Sequence, residues 1–167
     1  GEDLFSDWMA NAMDPETMVM ETGLMIAGGA ETTRTAISHG LRRFVDHPDD
    51  WDAMAGNPDL VTTAVEEIIR WVSPLNNMFR IATVDTELAG TAIAAGDRVA
   101  LVYPAANRDH AVFAEPMRFD IRRDPNPHLA FGHGTHFCLG ANVARAELRL
   151  LFGRLADKIT DLRAVQE

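Results

Sequence analysis

The sequence predicts a mainly α fold with a small antiparallel β region. Apolar residues recur at helical spacing from Asp14 to Phe44 and again from Leu139 to Lys158, and between them short β-type runs broken by glycines occupy Met78 to Tyr103. With 167 residues, 47% of them hydrophobic, the chain is long enough for one domain with its own core. No internal repeat, low-complexity tract or linker divides it.

The first long helix opens at Asp14-Pro15-Glu16, an N-cap residue followed by proline and an acid in the first turn, and stops before His47-Pro48. At 1.5 Å per residue it is a rod of roughly 45 Å, apolar on so much of its surface that it belongs in the middle of a domain. Its centre, Gly28-Gly29-Ala30-Glu31-Thr32-Thr33, is poor helix chemistry. Each glycine costs about 1 kcal/mol against alanine, and threonine hydroxyls that bond back to carbonyls bend the axis, so a local distortion is expected there. A packing kink under a crossing helix is the plain alternative.

A short helix from Asp49 to Ala55 follows, then a Gly-Asn-Pro break and an amphipathic helix from Leu60 to Val72, closed by Ser73-Pro74. Glu67 and Arg70 stand three apart on it, the spacing of an ordinary surface pair. The β-type runs are Met78 to Val84 and Arg98 to Val102, punctuated by Gly90 and Ala95-Gly96-Asp97, and read as a small antiparallel sheet. A meander rich in Asn, Asp and Pro leads from Ala106 to Pro127. The final helix, Leu139 to Lys158, carries Val143, Leu148, Leu151, Phe152 and Leu155 on its expected buried stripe.

Composition narrows the function. A formal charge of −10 argues against nonspecific nucleic-acid binding, which needs a basic footprint. The sequence contains no run of eighteen apolar residues and no charged-then-apolar leader, so neither a membrane span nor a secretory signal is read from it. The single cysteine excludes an internal disulfide framework and fits a reducing compartment, which makes a cytoplasmic location the expectation.

That cysteine, Cys138, lies in Phe131-Gly132-His133-Gly134-Thr135-His136-Phe137-Cys138-Leu139-Gly140, where the last apolar-periodic segment begins. The positive end of a helix dipole and its unpaired N–H groups favour a thiolate at such a place and can tune a metal bound to it. Gly132, Gly134 and Gly140 let the loop approach a flat cofactor without a Cβ in the way. A closed tetrahedral zinc set is not available from one cysteine and scattered histidines, and His136, two residues from Cys138, is poorly placed to serve it as a base.

The run resembles the haem-binding signature of the cytochrome P450 family, Phe, any two, Gly, any, His, any, Cys, any, Gly, with every fixed position filled. The resemblance implies that Cys138 is the proximal ligand of a haem b iron, that Phe131 packs near the sulfur, and that His136 approaches a haem propionate. It recurs in family order along the chain. Gly28, Gly29, Glu31 and Thr32 fill the pattern of the long central distal helix, which implies that Thr32 hydrogen-bonds iron-bound oxygen and Glu31 helps relay protons. Glu67 and Arg70 fill Glu-any-any-Arg, and with Arg118 they imply a buried structural network beneath the haem loop. Arg80, in Phe79-Arg80-Ile81, matches an arginine that meets a propionate; on residue type alone, an exposed strand arginine is the commoner outcome.

By the same resemblance the fold is the C-terminal portion of the cytochrome P450 fold: distal helix, Glu-x-x-Arg helix, meander, cysteine loop and proximal helix. Residues 1–167 are therefore expected to be a partial haem domain whose N-terminal portion is missing. The implied reaction inserts one atom of O2 into a hydrophobic small molecule, with electrons from a ferredoxin-type donor. A patch formed by Arg118, Arg122, Arg123, Arg145, Arg149 and Arg154 would attract an acidic donor, although a scatter of solvated arginines accounts for it equally well. Glu31-Thr32-Thr33-Arg34, Asn77-Met78-Phe79-Arg80, Asn107-Arg108-Asp109 and Asn126 to Gly132 look similar to the actinobacterial branch that oxidises sterol side chains, terpenoids and branched lipids. Leu24, Ala27, Gly28, Leu75, Asn76 and Met78 are then expected beside the substrate. A peroxide-using or isomerising haem-thiolate enzyme and a non-enzymatic haem sensor or carrier are the alternatives.

Overall fold

The protein, described by a computed structural model over residues 3–160, 162 and 163, contains the expected helices and β-type runs in order, together with two short helices and a hairpin that the sequence reading does not include. The elements are α1 (Leu4–Ala10), α2 (Pro15–Asp46), α3 (Pro48–Gly56), α4 (Leu60–Val72), β1 (Asn77–Ile81), β2 (Thr86–Leu88), β3 (Thr91–Ile93), β4 (Arg98–Val102), α5 (Tyr103–Ala106) and α6 (Ala141–Lys158), the additions being α1, α5 and the β2–β3 hairpin. Among the described residues no helix is long and apolar enough to cross a membrane.

Helix α2 is capped as expected. The Asp14 carboxylate accepts the backbone N–H of Thr17 at 2.9 Å and its hydroxyl at 2.5 Å, and Pro15 occupies the first turn. The glycine pair does not interrupt it, for every residue from Pro15 to Asp46 is helical. The threonine device is present, since the Thr32 hydroxyl donates to the Gly28 carbonyl at 2.6 Å. Along this helix Ala36, Gly40 and Phe44, spaced one turn apart, are enclosed, whereas Val19, Met20, Leu24, Met25 and Ile26 are exposed, as expected of a central helix in a partial domain. The second half packs against α3, α4 and α6, while the first half shares with α1 a shallow apolar cavity lined by Leu4, Phe5, Trp8, Thr22, Met25 and Ile26.

The core forms where the second half of α2 meets α3, α4 and α6. Phe44 is fully buried, with Trp51 at 5.3 Å and Phe152 at 5.8 Å between ring centroids, surrounded by Met54, Val65, Ile68 and Leu148. The Trp51 indole N–H donates to the Ile159 carbonyl at 3.0 Å, which fastens the end of α6 to α3. On α6 the buried face is Ala141, Leu148 and Phe152. Val143, expected on that stripe, is 62% exposed, because two residues turn a helix by about 200° and carry it away from Ala141.

The β region is two separate ribbons, where a single small sheet was expected. Strand β1 pairs antiparallel with β4 in the register Phe79 to Ala100, and β2 pairs antiparallel with β3. The turn between β2 and β3, Ala89-Gly90, has both residues left-handed, with φ 49° and 80°, which suits the twist of a two-residue hairpin.

Residues 107–133 contain neither helix nor strand, and a buried charge cluster holds them. Glu67 and Arg70 are both 0% exposed and paired through two hydrogen bonds of 2.7 and 2.8 Å. The remaining guanidinium N–H groups donate to the carbonyls of Asn107, Pro116 and Arg118 at 2.7, 3.0 and 3.1 Å. Glu67 also accepts the backbone N–H of Asp120, the Arg123 guanidinium and the Asn126 amide. Arg118, expected inside this network, contributes only its carbonyl. Its side chain is 62% exposed and pairs with Glu115, since the turn from Glu115 to Arg118 points it outward, and Arg123 supplies the second buried guanidinium.

The neighbouring acid, Glu66, ties α4 to α6. Its carboxylate accepts two N–H groups of Arg145 at 2.9 Å each, one of Arg149 at 3.2 Å, and faces the His128 ring at 3.1 Å. Burial alone would push the carboxyl up; the hydrogen bonds from His128 and Arg145 overcome it and hold the pKa at about 2.

Two expectations follow from this packing. A Cβ on Gly40 would stand 2.9 Å from the Ile68 side chain and 3.0 Å from that of Phe152, whereas on Gly153 it would meet Val61 at 3.9 Å. Denaturant titration is expected to show Gly40→Ala destabilised by about 1–3 kcal/mol and Gly153→Ala stabilised by up to about 1 kcal/mol; the reverse order would contradict this packing. Because the folded pKa of Glu66 lies below the ordinary 4.5, its contribution is complete above that pH and is lost as pH falls toward about 2. Glu66→Gln should therefore flatten the acid limb of stability in that window, read as denaturation midpoint against pH.

Candidate functional site

The cysteine loop is shaped by backbone geometry that its glycines permit. Gly132 and Gly134 take φ values of 73° and 69°, in the region that strains residues with a side chain. A 3₁₀ turn spans Gly134–His136, the Phe137 N–H returns to the Gly134 carbonyl at 3.0 Å, and the Cys138 N–H donates to the Phe131 carbonyl at 2.9 Å. The loop therefore closes on itself, with Phe131 and Cys138 at its two ends. A Cβ on Gly132 would lie 3.4 Å from the His136 carbonyl, an ordinary contact, so it is the left-handed backbone that disfavours other residues there.

Helix α6 begins at Ala141, two residues later than expected, with Gly140 as its cap. The Cys138 carbonyl accepts the Ala141 N–H at 3.3 Å, so the thiol sits just ahead of the helix N-terminus. Most free cysteines are buried hydrophobes; Cys138 is exposed. Around it Phe137 is 50% and Leu139 84% exposed. An accessible thiol flanked by outward apolar side chains, on a loop with little side-chain bulk, fits a flat, largely apolar group that carries a metal. Phe131, Gly132, His136, Cys138 and Gly140 would hold a haem there.

The other predicted residues lie on separate elements. Glu31 and Thr32 are on the exposed middle of α2, with Leu24, Ala27 and Gly28 on the same stretch. Glu31 pairs with Arg34 one turn along, an ion pair whose side chains are 65% and 72% exposed. Leu75, Asn76 and Met78 form the exposed entry to β1. Arg80 is an exposed residue of β1 and donates to the Phe79 carbonyl at 2.9 Å. Among the described residues no hydrogen bond or ion pair joins Glu31, Thr32 or Arg80 to the cysteine loop.

Four of the arginines read as a basic patch are engaged with acids: Arg118 with Glu115, Arg123 with Glu67, and Arg145 and Arg149 with Glu66. What the residue pattern did not disclose is the support behind the loop. Asn107 donates to the Ser73 hydroxyl at 2.8 Å and accepts the Leu129 N–H at 2.7 Å, joining the end of α4 to the start of the loop. Glu66 and His128 face one another across 62 positions of sequence. The only available signal was the pair of consecutive glutamates, whose side chains leave a helix about 100° apart and so must serve two different faces.

A cytochrome P450 family profile matches residues 51–157. Over 171 aligned residues the chain is 45% identical to a steroid C26-monooxygenase of Mycobacterium tuberculosis, covering 99% of this chain and 46% of that protein. It is 50% identical over 146 residues to a methyl-branched lipid omega-hydroxylase of Mycobacterium bovis, with 86% and 34% covered. Among solved structures, the cytochrome P450 enzyme CYP109B1 from Bacillus subtilis superposes with a TM-score of 0.89 at 37% identity, covering 99% of this chain and 46% of that one. The chain thus spans less than half the length of these relatives. Taken with the cysteine loop and the buried Glu67–Arg70 pair, these matches show that the chain belongs to the cytochrome P450 family.

Proposed function

We propose that the complete protein of which residues 1–167 form the C-terminal haem-domain portion is a haem-thiolate monooxygenase. It inserts one atom of O2 into a hydrophobic small molecule, and a sterol side chain or branched lipid is the substrate class. The observation that carries this reading is Cys138, an exposed thiol in a closed glycine loop. The relatives named as steroid and methyl-branched-lipid oxygenases support the substrate class.

Haem b, when bound, supplies dioxygen activation, and an electron-rich sulfur ligand favours O–O cleavage. The chain's own residues bind it, orient it and handle protons. Cys138 would give the thiolate, Phe131 would pack beside it, and His136 and Arg80 would each approach a propionate, for which a planar guanidinium is well suited. Arg80 is bound only to its neighbour's carbonyl in the contacts described, a bond easily exchanged for a carboxylate.

On α2 the Thr32 hydroxyl donates to the Gly28 carbonyl and keeps its lone pairs open, so it accepts one hydrogen bond while donating another. Glu31 is held by Arg34 in an exposed pair, an arrangement worth so little that the carboxylate can turn to exchange protons with water. Leu24, Ala27, Gly28, Leu75, Asn76 and Met78 offer a mostly apolar surface to the substrate. A ferredoxin-type protein is the electron donor, approaching the cysteine side, with cytoplasmic operation as the corresponding setting.

The reduced, carbon-monoxide-bound absorption spectrum of the haem-loaded protein tests the sulfur bond. Cys138→Ser is expected to lose the thiolate-type band, and a serine variant that keeps it refutes the ligation. Thr32→Ala should retain haem and the thiolate band while product formed per electron consumed drops by about tenfold or more. Undiminished product yield in that variant would remove Thr32 from the proton route.

A further inference from the structure

Two rings and one guanidinium stand behind the cysteine loop. The Arg145 guanidinium lies over the Phe131 ring at 4.6 Å from its centroid, and the His128 ring lies 5.8 Å from the same centroid, tilted by 52°. Arg145 and His128 are both held by one carboxylate, that of Glu66. Phe131 in turn carries the carbonyl that accepts the Cys138 N–H, and its ring packs edge-on against Phe137 at 6.2 Å. A continuous path of contacts therefore runs from a carboxylate on α4 to the backbone of the cysteine.

The polar part of this path is shielded. The His128 side chain is 2% exposed, Glu66 20% and Arg145 25%. A cation over an aromatic face gains when water is excluded, and the planar guanidinium presents two N–H groups to Glu66 while its face covers the ring. The three side chains come from α4, the segment before the loop, and the second turn of α6, so the carboxylate fixes both ends of the loop relative to a third element. Glu67, one residue on, is turned to the meander and bonds a different set of partners.

We infer that Glu66, through Arg145 and His128, is a positioning unit for Cys138: it clamps Phe131, and Phe131 holds the cysteine backbone in the conformation from which the sulfur serves as ligand. This deepens the ligation proposed above and, for its consequence at the metal, rests on it. The clamp itself does not, because every contact in it belongs to the chain.

Amide exchange of the full chain tests the clamp directly. In Glu66→Gln and Arg145→Gln the Cys138 N–H is expected to exchange at least about tenfold faster, as loss of a clamp opens a local unit, while the Asp120 N–H, bonded to Glu67, keeps its protection. The double variant should be no faster than the worse single one, since both break one interaction. In the haem-loaded protein the same variants should lose the thiolate-type carbon-monoxide complex about tenfold faster than the unaltered protein. His128→Gln gives the same readings should Glu66→Gln fail to accumulate. Unchanged exchange at Cys138, or equal acceleration at Asp120, overturns the clamp whatever the spectrum shows. Faster exchange in a chain whose unaltered form never gives a thiolate-type spectrum leaves the clamp standing and sinks the ligation.

Discussion

The structure depends on one buried ion pair. Glu67 and Arg70 are taken wholly out of water, and an ion so placed is costly unless every polar atom finds a partner. Five N–H donors of the guanidinium meet five acceptors: two on Glu67 and the carbonyls of Asn107, Pro116 and Arg118. Lysine has three donors and no plane, so it cannot reproduce this pattern. What the pair secures is a stretch of chain with no regular hydrogen-bonding ladder of its own, residues 107–133, three of whose carbonyls, those of Asn107, Pro116 and Arg118, take the Arg70 N–H groups. Removing either partner of such a pair costs about 3–5 kcal/mol through the charge left behind.

From that anchor the construction proceeds toward the thiol in steps. The left-handed Ser73 closes α4, its hydroxyl returns to the Arg70 carbonyl, and it receives the Asn107 amide. Asn107 then takes the Leu129 N–H, and the Gly132 N–H returns to the Leu129 carbonyl. Cys138 itself makes few of these bonds. Its position is determined by segments distant in sequence, which is how an exposed loop residue is held steadily enough for the ligation proposed above.

How much of this could be read beforehand follows from the range of the interactions. Helix α4 was expected from Leu60 to Val72 and is found there, because its apolar period and the Ser-Pro stop are local signals. The Asp14 cap and Pro15 behaved likewise. The cysteine loop was legible because a dense pattern of fixed residue types occupies ten consecutive positions. Arg118 was misassigned because the meander has no period: nothing local says which of several arginines turns inward, and Arg123 does so only through a fold-back to Glu67. The β2–β3 hairpin was hidden because its strands are three residues each, too short for alternation to register. For the first half of α2, apolar composition was legible but its partners were not, since burial is a property of what packs there.

The placement of charge bears on the donor docking proposed above. A basic patch steers a partner in proportion to the charge it leaves uncompensated. Glu66 already faces Arg145 and Arg149, and Arg123 is turned inward to Glu67 at 10% exposure. The field of these arginines at the cysteine side is thus smaller than their number implies, and part of what looks like a docking surface is the internal wiring of the loop. Arginine serves both ends because its long stem lets the fork bind inside while the chain around it faces water. On the reading proposed above, a donor approaching the cysteine side would be recognised less by charge than the number of arginines implies.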